Sequence, residues 1–160
     1  MKTPKKRNRE GKTDYKKRFG FMKSQMPRIV VRKTNKFLFV QYVKSVESRD
    51  KVIAGFSSKD LIKYGWPKEK IGSLKSIPVA YLLGLYAGKK IVENEKGNVI
   101  LDIGLNRSTM GGRVYAVLKG LVDSGLKIIY DKKLFPPEER LEGKHLNDNI
   151  QKKIKEIKKK

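Results

Sequence analysis

The alternation of apolar and polar residues predicts a β-hairpin near residue 30. Residues 28–33 and 37–43 are rich in β-branched and aromatic side chains, and the polar segment 34–36 separates them. Successive side chains of a strand point to opposite faces. The first strand therefore has one partly cationic and one mainly apolar face, formed by Arg28, Val30 and Arg32 and by Ile29, Val31 and Lys33. Residues 51–57 predict a third strand that continues the meander.

Two later segments have apolar residues at helical spacing. The first begins near Ser76, the predicted cap, with Pro78 in the first turn. Its Gly84 and Gly88 predict close packing of the helix on a sheet. The two apolar stripes are Val79, Leu82, Leu83, Tyr86 and Ala87, and then Val114, Val117, Leu118, Leu121 and Val122, with Gly125 as the predicted C-cap.

Strand-length apolar runs at residues 98–104 and 126–130 alternate with these helices. A hairpin followed by a strand–helix–strand–helix pattern predicts an α/β domain with a mixed sheet. Trp66 is interpreted as the anchor of a packed loop.

Both ends of the chain are basic. Residues 1–33 contain 13 Lys and Arg and 2 acids, and residues 144–160 contain 7 and 2, in a chain of net charge +23. The first 26 residues have few apolar side chains, so we expect an arm that is disordered alone and orders on its partner. A terminal basic helix is indicated by Leu146, Ile150, Ile154 and Ile157. The predicted organisation is an arm at 1–26, a domain at 27–143 and a basic tail at 144–160.

The charge points to a polyanionic partner, above all nucleic acid, because an excess of this size destabilises an isolated compact chain. The chain has no cysteine, which excludes disulfides and cysteine-ligated metals. Its longest apolar segment, residues 77–88, has about half the length that a membrane span requires. We therefore expect a soluble protein with no membrane partner.

An ordered series of segments resembles one known family. The segments are 10–15, 27–33, 78–90, 101–107, 112–120 and 123–126. Together they resemble the archaeal and eukaryotic form of the large-subunit ribosomal protein that binds 5S ribosomal RNA, the universal large-subunit protein eighteen family. The similarity runs from about residue 7 to residue 143.

This resemblance implies a ribonuclease-H-like α/β fold, of the kind found in translational machinery components, without the nuclease site. It implies a structural role in the large subunit of the cytoplasmic ribosome, where the protein holds 5S rRNA against large-subunit rRNA in the central protuberance. A second 5S-binding ribosomal protein would be its neighbour. No cofactor or metal is expected.

Three groups of residues are candidates for RNA contact, since cations neutralise phosphates and aromatic rings stack on unpaired bases. The arm contributes Lys5, Lys6, Arg7, Arg9, Lys12, Tyr15, Lys16 and Arg18. The hairpin contributes Arg28, Arg32, Lys33, Asn35 and Lys36, on a strand that fixes their spacing. The loop before the second helix contributes Arg107, Thr109 and Arg113. Helix N-terminal amides favour an anion there, the loop hydroxyls could cap the helix, and both can hold together.

The sequence argues against two other functions. A metal-dependent nuclease needs several converging carboxylates, whereas the first strand carries arginine and lysine, and Asp102 stands alone in its strand. Asp123 and His145 are interpreted as structural and surface residues. A DNA-binding architectural protein would share the charge, but no helix-turn-helix, basic zipper or zinc finger is present. The sequence thus predicts a protein that is not an enzyme.

Overall fold

The computed structural model describes residues 3–46, 49–94 and 97–159, so the ends of the predicted arm and tail, residues 1–2 and 160, lie outside the described residues. The strands are β1 (Arg28–Lys33), β2 (Leu38–Val46), β3 (Arg49–Ser57), β4 (Asn98–Asp102) and β5 (Lys127–Ile128). The helices are α1 (Lys6–Arg9), α2 (Tyr15–Ser24), α3 (Ile77–Asn94), α4 (Arg113–Asp123), α5 (Glu138–Glu142) and α6 (Asp148–Lys159).

The strands form one mixed sheet in the order β3-β2-β1-β4-β5. β1, β2 and β3 are antiparallel neighbours, and β1, β4 and β5 are parallel. The predicted hairpin is confirmed, with Arg28 opposite Val43 and Lys33 opposite Leu38. β3 begins two residues before the predicted strand, and β5 has two residues where a run of five was predicted. The α/β class with a mixed sheet is confirmed.

Helices α3 and α4 cover the apolar face of this sheet. Ile29 and Val31 of β1 are fully buried in the core with residues of both helices. The two helices approach closely at glycines: a Cβ on Gly84 would lie 2.2 Å from the Val117 carbonyl oxygen, and one on Gly120 would lie 2.3 Å from that of Tyr81. The prediction that Gly84 packs on the sheet is wrong, because this side of α3 faces α4.

The structure also tests the predictions for Trp66 and for the ends of α3 and α4. Trp66 is 2% exposed and belongs to the core, as predicted. Ser76 precedes α3 and its carbonyl accepts the Ala80 N–H. Its hydroxyl is buried with no hydrogen-bond partner among the described residues, so the predicted side-chain cap is wrong. Gly125 follows the end of α4 in the left-handed conformation, with φ of 98°.

The terminal segments are more structured than the composition predicted. Residues 6–9 and 15–24 are helical, which differs from an arm without structure of its own. α6 is the terminal basic helix, and it buries Ile150 and Ile154 in the core beside α3. The short α5 was not predicted. It follows Pro137 and has acidic residues in its first turn, where the helix dipole favours them.

Across the three described ranges, no helix is both long enough and apolar enough to cross a bilayer.

Candidate nucleic-acid interface

A groove of about 580 Å³ lies between α2 and the polar face of the sheet, opposite the layer formed by α3 and α4. Its lining contains seven cations and three carboxylates. The cations are Arg7, Lys12, Lys17, Arg18, Arg28, Arg32 and Lys33, and the acids are Asp14, Asp50 and Asp102. The groove therefore has an excess of positive charge that suits an anionic ligand.

Helix α2 forms one wall of the groove, and local sequence explains its limits. The Asp14 carboxylate caps its first turn by accepting the Lys17 N–H at 3.1 Å. The helix ends at Gln25, which has a left-handed φ of 53°. Asp14 and the helix-favouring residues behind it were visible in the sequence, but the segment's low hydrophobicity directed the prediction toward disorder.

Two side chains on the inner face of α2 contact the sheet. The Arg18 guanidinium donates a hydrogen bond to the Asp50 carboxylate at 3.1 Å, which joins α2 to the edge strand β3. The Phe21 ring lies beneath the Arg28 guanidinium, 5.9 Å from its centroid to the Arg28 Cζ. Among the described residues, one ion pair and one cation–π contact thus attach the helix to the sheet, in contrast to the apolar packing on the other side of the sheet.

Arg28 is the buried centre of the ion-pair network, with a side chain only 7% exposed. It donates to the Asp50 carboxylate at 2.7 Å and to the Ser45 hydroxyl at 3.0 Å, and it lies 3.8 Å from the Asp102 carboxylate. Sequence reasoning placed Arg28 among the RNA contacts. In the structure it lines the groove, and its charge is already matched by two carboxylates.

Asp50 shows how this network holds a carboxylate in its charged form. Partial burial alone would raise its pKa. The Ser45 hydrogen bond and the positive charges of Arg28 and Arg18 outweigh burial, so the pKa of Asp50 lies below its ordinary value.

Arg32 presents a charged edge to the groove, with 42% of its side chain exposed. Its guanidinium donates to the Asp102 carboxylate at 3.3 Å and to the carbonyls of Asp102 and Val31 at 3.1 and 3.0 Å. Gly104 makes room for it, since a Cβ at that residue would lie 2.8 Å from the Arg32 Cζ, and its φ is +59°. The exposed edge is thus fixed in direction before any ligand arrives.

The structure brings together only some of the predicted arm and hairpin residues. Arg7, Lys12, Arg18, Arg28, Arg32 and Lys33 line the groove. Five others are exposed and outside its lining: Lys5, Lys6, Arg9, Lys16 and the turn residue Lys36. Asn35 is also exposed at the turn, and Tyr15 is half-buried with the Lys5 ammonium 4.9 Å from its ring centroid. Some of the predicted arm and hairpin residues therefore line the groove, and the others lie outside it as mostly exposed side chains.

The loop before α4 reaches the groove only through its first residues, 104–106. Arg107 and Thr109 are exposed and Arg113 is half-buried, all outside the lining. The N-cap of α4 is Gly112, and no side chain caps the helix, so capping by the loop hydroxyls is wrong. The Ser108 hydroxyl instead pairs with that of Tyr115.

Sequence reasoning missed the acids that organise the groove. In the sequence Asp102 is an isolated acid of its strand, and no pattern singles out Asp50. The side-chain alternation of β4 could have placed Asp102 on one face, but its pairing with Arg32 spans 70 residues. The ion pairs of Asp50 and Asp102 with the groove arginines become apparent only when the order of the strands in the sheet is known.

The structure places the other candidate residues, Asp123 and His145, outside the groove lining. In the part of the chain that the structure describes, no three His, Cys, Asp or Glu residues are grouped to hold a metal ion. Asp123 accepts hydrogen bonds from the Tyr81 hydroxyl at 2.9 Å and the Lys119 ammonium at 2.7 Å, the structural role predicted for it. Burial and this hydrogen bond raise the pKa of Tyr81. His145 is exposed.

Comparison with known proteins gives consistent similarities. The family described as "Ribosomal large subunit proteins 60S L5, and 50S L18" matches residues 1–99 and 93–131. The large ribosomal subunit protein uL18 of Korarchaeum cryptofilum (strain OPF8) is 44% identical over 140 residues, covering 88% of this chain and 70% of that protein. The proteins of the same name from Methanoregula boonei (strain DSM 21154 / JCM 14090 / 6A8) and Methanoculleus marisnigri (strain ATCC 35101 / DSM 1498 / JR1) are also 44% identical. These two alignments cover 88% and 89% of this chain and 78% and 79% of the relatives.

Proposed function

The chain belongs to the uL18 family of large-subunit ribosomal proteins, and on that premise we propose that its cationic groove binds 5S rRNA and attaches it to large-subunit rRNA in the central protuberance. Family membership makes the protein a structural component of the large ribosomal subunit and not an enzyme. The proposal concerns which RNA it binds, where, and through which residues.

The observation that carries the proposal is the preorganised cationic groove. Arg32 has its guanidinium fixed by three acceptors, while part of the side chain stays exposed beside Lys33. A cation held in this way loses little side-chain freedom when a phosphate arrives, which favours binding. Shape and phosphate spacing would govern recognition, since side chains cannot read the deep, narrow major groove of A-form RNA.

The remaining candidates extend this contact around the groove. Arg7 from α1, Lys12 from the segment before α2 and Arg18 from α2 would approach the same RNA strand, and Arg28 would contribute its charge from the floor of the groove. We assign outer phosphate or base contacts to Lys5, Lys6, Arg9, Tyr15 and Lys16, to Asn35 and Lys36, and to Arg107, Thr109 and Arg113. Each phosphate neutralised releases counterions, which makes binding strongly dependent on salt.

The proposal includes the wider organisation. Residues 1–26 act as the RNA-binding arm, 27–143 as the rRNA-binding domain and 144–160 as a basic tail, with a second 5S-binding ribosomal protein as a neighbour. The sheet order β3-β2-β1-β4-β5, with its antiparallel and parallel halves, supports a ribonuclease-H-like fold.

The test compares two double variants of equal charge loss in the full-length protein. Arg32→Gln with Lys33→Gln changes the groove, whereas Lys75→Gln with Lys89→Gln removes two exposed charges at α3, on the other side of the sheet. We expect the groove variant to bind folded 5S rRNA roughly tenfold more weakly and to lower the log–log salt slope by up to about 0.9 for each lost contact. The control pair should change affinity far less.

Two results would contradict the proposal. Equal losses in the two variants would show that the groove has no special part in binding. Equal affinity of the unaltered protein for folded 5S rRNA and for duplex DNA at physiological salt would favour a DNA-architectural function.

A further inference from the structure

Helix α2 has a second face that the groove does not use. At 3.6 residues per turn, Lys16, Phe19 and Lys23 fall within an arc of about 60° on the side opposite Phe21, and they span about 10 Å along the helix. All three are exposed. We call them the outer face of α2.

The two faces of α2 differ in how their charges are matched. On the groove side, Lys17 is 3.9 Å from the Asp14 carboxylate and Arg18 is 3.1 Å from that of Asp50. Within the described residues, Lys16 and Lys23 have no acidic partner. The outer face is therefore an unneutralised cationic strip on a protein that already carries +23.

Phe19 lies between these two lysines and is 64% exposed, the most exposed aromatic side chain among the described residues. Its ring makes no aromatic or cation–π contact in that part of the chain, whereas Phe21, two residues away, lies against Arg28. The ring contributes nothing to the core, and its apolar surface in water has a cost that a ligand could remove.

We propose that Phe19 stacks on an unpaired nucleobase of the bound RNA, with Lys16 and Lys23 contacting the phosphates on either side of that nucleotide. Every base offers a π-face to an aromatic ring, and adjoining cations follow the strand's backbone. Charge complementarity favours RNA over a protein partner, because the strip offers two free ammonium groups and no carboxylate. The outer face and the groove lie on opposite sides of the same helix, so one RNA could contact both sides of α2.

This inference rests on the proposed function, since it names a further contact to the same RNA. It differs in the feature it requires: the groove requires phosphates held in a fixed shape, whereas Phe19 requires a base that is free of pairing. An internal loop or bulge supplies such a base, and a continuous duplex does not.

Phe19→Trp gives a direct spectroscopic readout of stacking. The natural chain has a single tryptophan, Trp66, which is 2% exposed and thus shielded from a bound RNA. We expect folded 5S rRNA to quench the new fluorescence, and a fully paired RNA duplex of similar length to leave it unchanged. Phe19→Trp should retain the affinity of the unaltered protein.

Phe19→Leu separates stacking from simple apolar contact, because leucine keeps an apolar side chain and lacks the π-face. We expect it to weaken binding of folded 5S rRNA roughly fivefold or more. Ile129→Ala is the matched control, since Ile129 is 96% exposed and lies beyond β5, outside both α2 and the groove. The control should bind as the unaltered protein does.

The outcomes distinguish this inference from the proposed function. Unquenched tryptophan at residue 19, or full affinity in Phe19→Leu, overturns the stacking contact while binding of 5S rRNA through the groove stands. Full affinity in Phe19→Leu would also indicate that the outer face of α2 is a docking surface for a protein and not for RNA. Failure of the unaltered protein to prefer folded 5S rRNA overturns both proposals.

Discussion

The two faces of the sheet are held by different interactions, although the same strands form both. On one face Ile29 and Val31 of β1 are fully buried beneath α3 and α4, whose glycines bring the two helices into backbone contact. On the other face Arg28 and Arg32 share the Asp102 carboxylate, and Asp50 joins Arg28 to Arg18 of α2.

Stability and ligand binding depend on different faces of the sheet in this molecule. Apolar packing between the sheet, α3 and α4 is close, with core side chains fully buried, so the helical face supplies stability. An exposed cation at the groove can leave a carboxylate and pair with another anion. A phosphate can therefore compete with Asp50 for Arg18, because the side chain of that arginine is 44% exposed. Changes on the helical face should therefore affect folding, and changes at the groove should affect ligand binding with smaller effects on folding. Arg28 is the exception, because it is buried.

The largest effect is expected from Gly84→Ala on the helical face. The new Cβ would meet the backbone of α4, with the Val117 carbonyl oxygen at 2.2 Å and the Gly120 Cα at 3.1 Å, and backbone atoms cannot turn aside. We expect the free energy of unfolding to fall by about 3 kcal/mol or more, measured by urea denaturation.

The control for this change is Gly20→Ala in α2, where an added Cβ meets nothing within 4 Å. It should be neutral or stabilise the protein by up to about 1 kcal/mol, because alanine favours a helix over glycine. Equal destabilisation by the two variants would show that the α3–α4 contact is not specially close.

An intermediate effect is expected from Arg28→Met, which removes a buried cation of the groove. The change leaves Asp102 and Asp50 without their buried partner, and breaking a buried pair costs roughly 3–5 kcal/mol. Because the Asp50 side chain is 27% exposed and retains Arg18, we expect a smaller loss, about 2 kcal/mol. Thermal unfolding measures it, and Arg18→Met, which removes a far more exposed partner, should lose much less. A similar loss in both would remove the distinction between buried and exposed partners.

The smallest effect is expected from pH, through Asp50. Its pKa is lower in the folded chain than in the unfolded one, so the ion pairs contribute stability above the ordinary aspartate pKa. That contribution disappears as the pH falls through the folded-state pKa. Asp50→Asn should make the free energy of unfolding depend less on pH in the acid range. Near neutrality its dependence on pH should change little. An acid limb identical to that of the unaltered protein would contradict the assignment.

Local pattern was sufficient for much of the fold. The β-branched runs on either side of residues 34–36 predicted the hairpin, and the stripes ending near residues 87 and 122 predicted α3 and α4. Composition was misleading for α2, whose mean character is polar, because its contacts to the sheet are ionic and therefore do not raise its hydrophobicity. Gly84 predicted a close approach, but to the sheet and not to α4. Glycine spacing does not say which element approaches.

The candidate site was predicted in part and for a similar reason. The cations of the arm and hairpin are evident as charge, and the alternation of β1 placed Arg28 and Arg32 on one face. Their different surroundings were not evident, since both residues have the same chemistry and their side chains differ in exposure in the folded chain, 7% against 42%.

The sequence by itself determined the strands, the amphipathic helices, the cationic ends and the two unlike faces of β1, since each depends on neighbours within a few residues. Only the tertiary structure decided which cations are neutralised and which remain available. Arg18 meets Asp50 across 32 residues and Arg32 meets Asp102 across 70, and these meetings depend on strand order and register. An ion pair requires two groups within about 4 Å, and that proximity is a property of the folded chain.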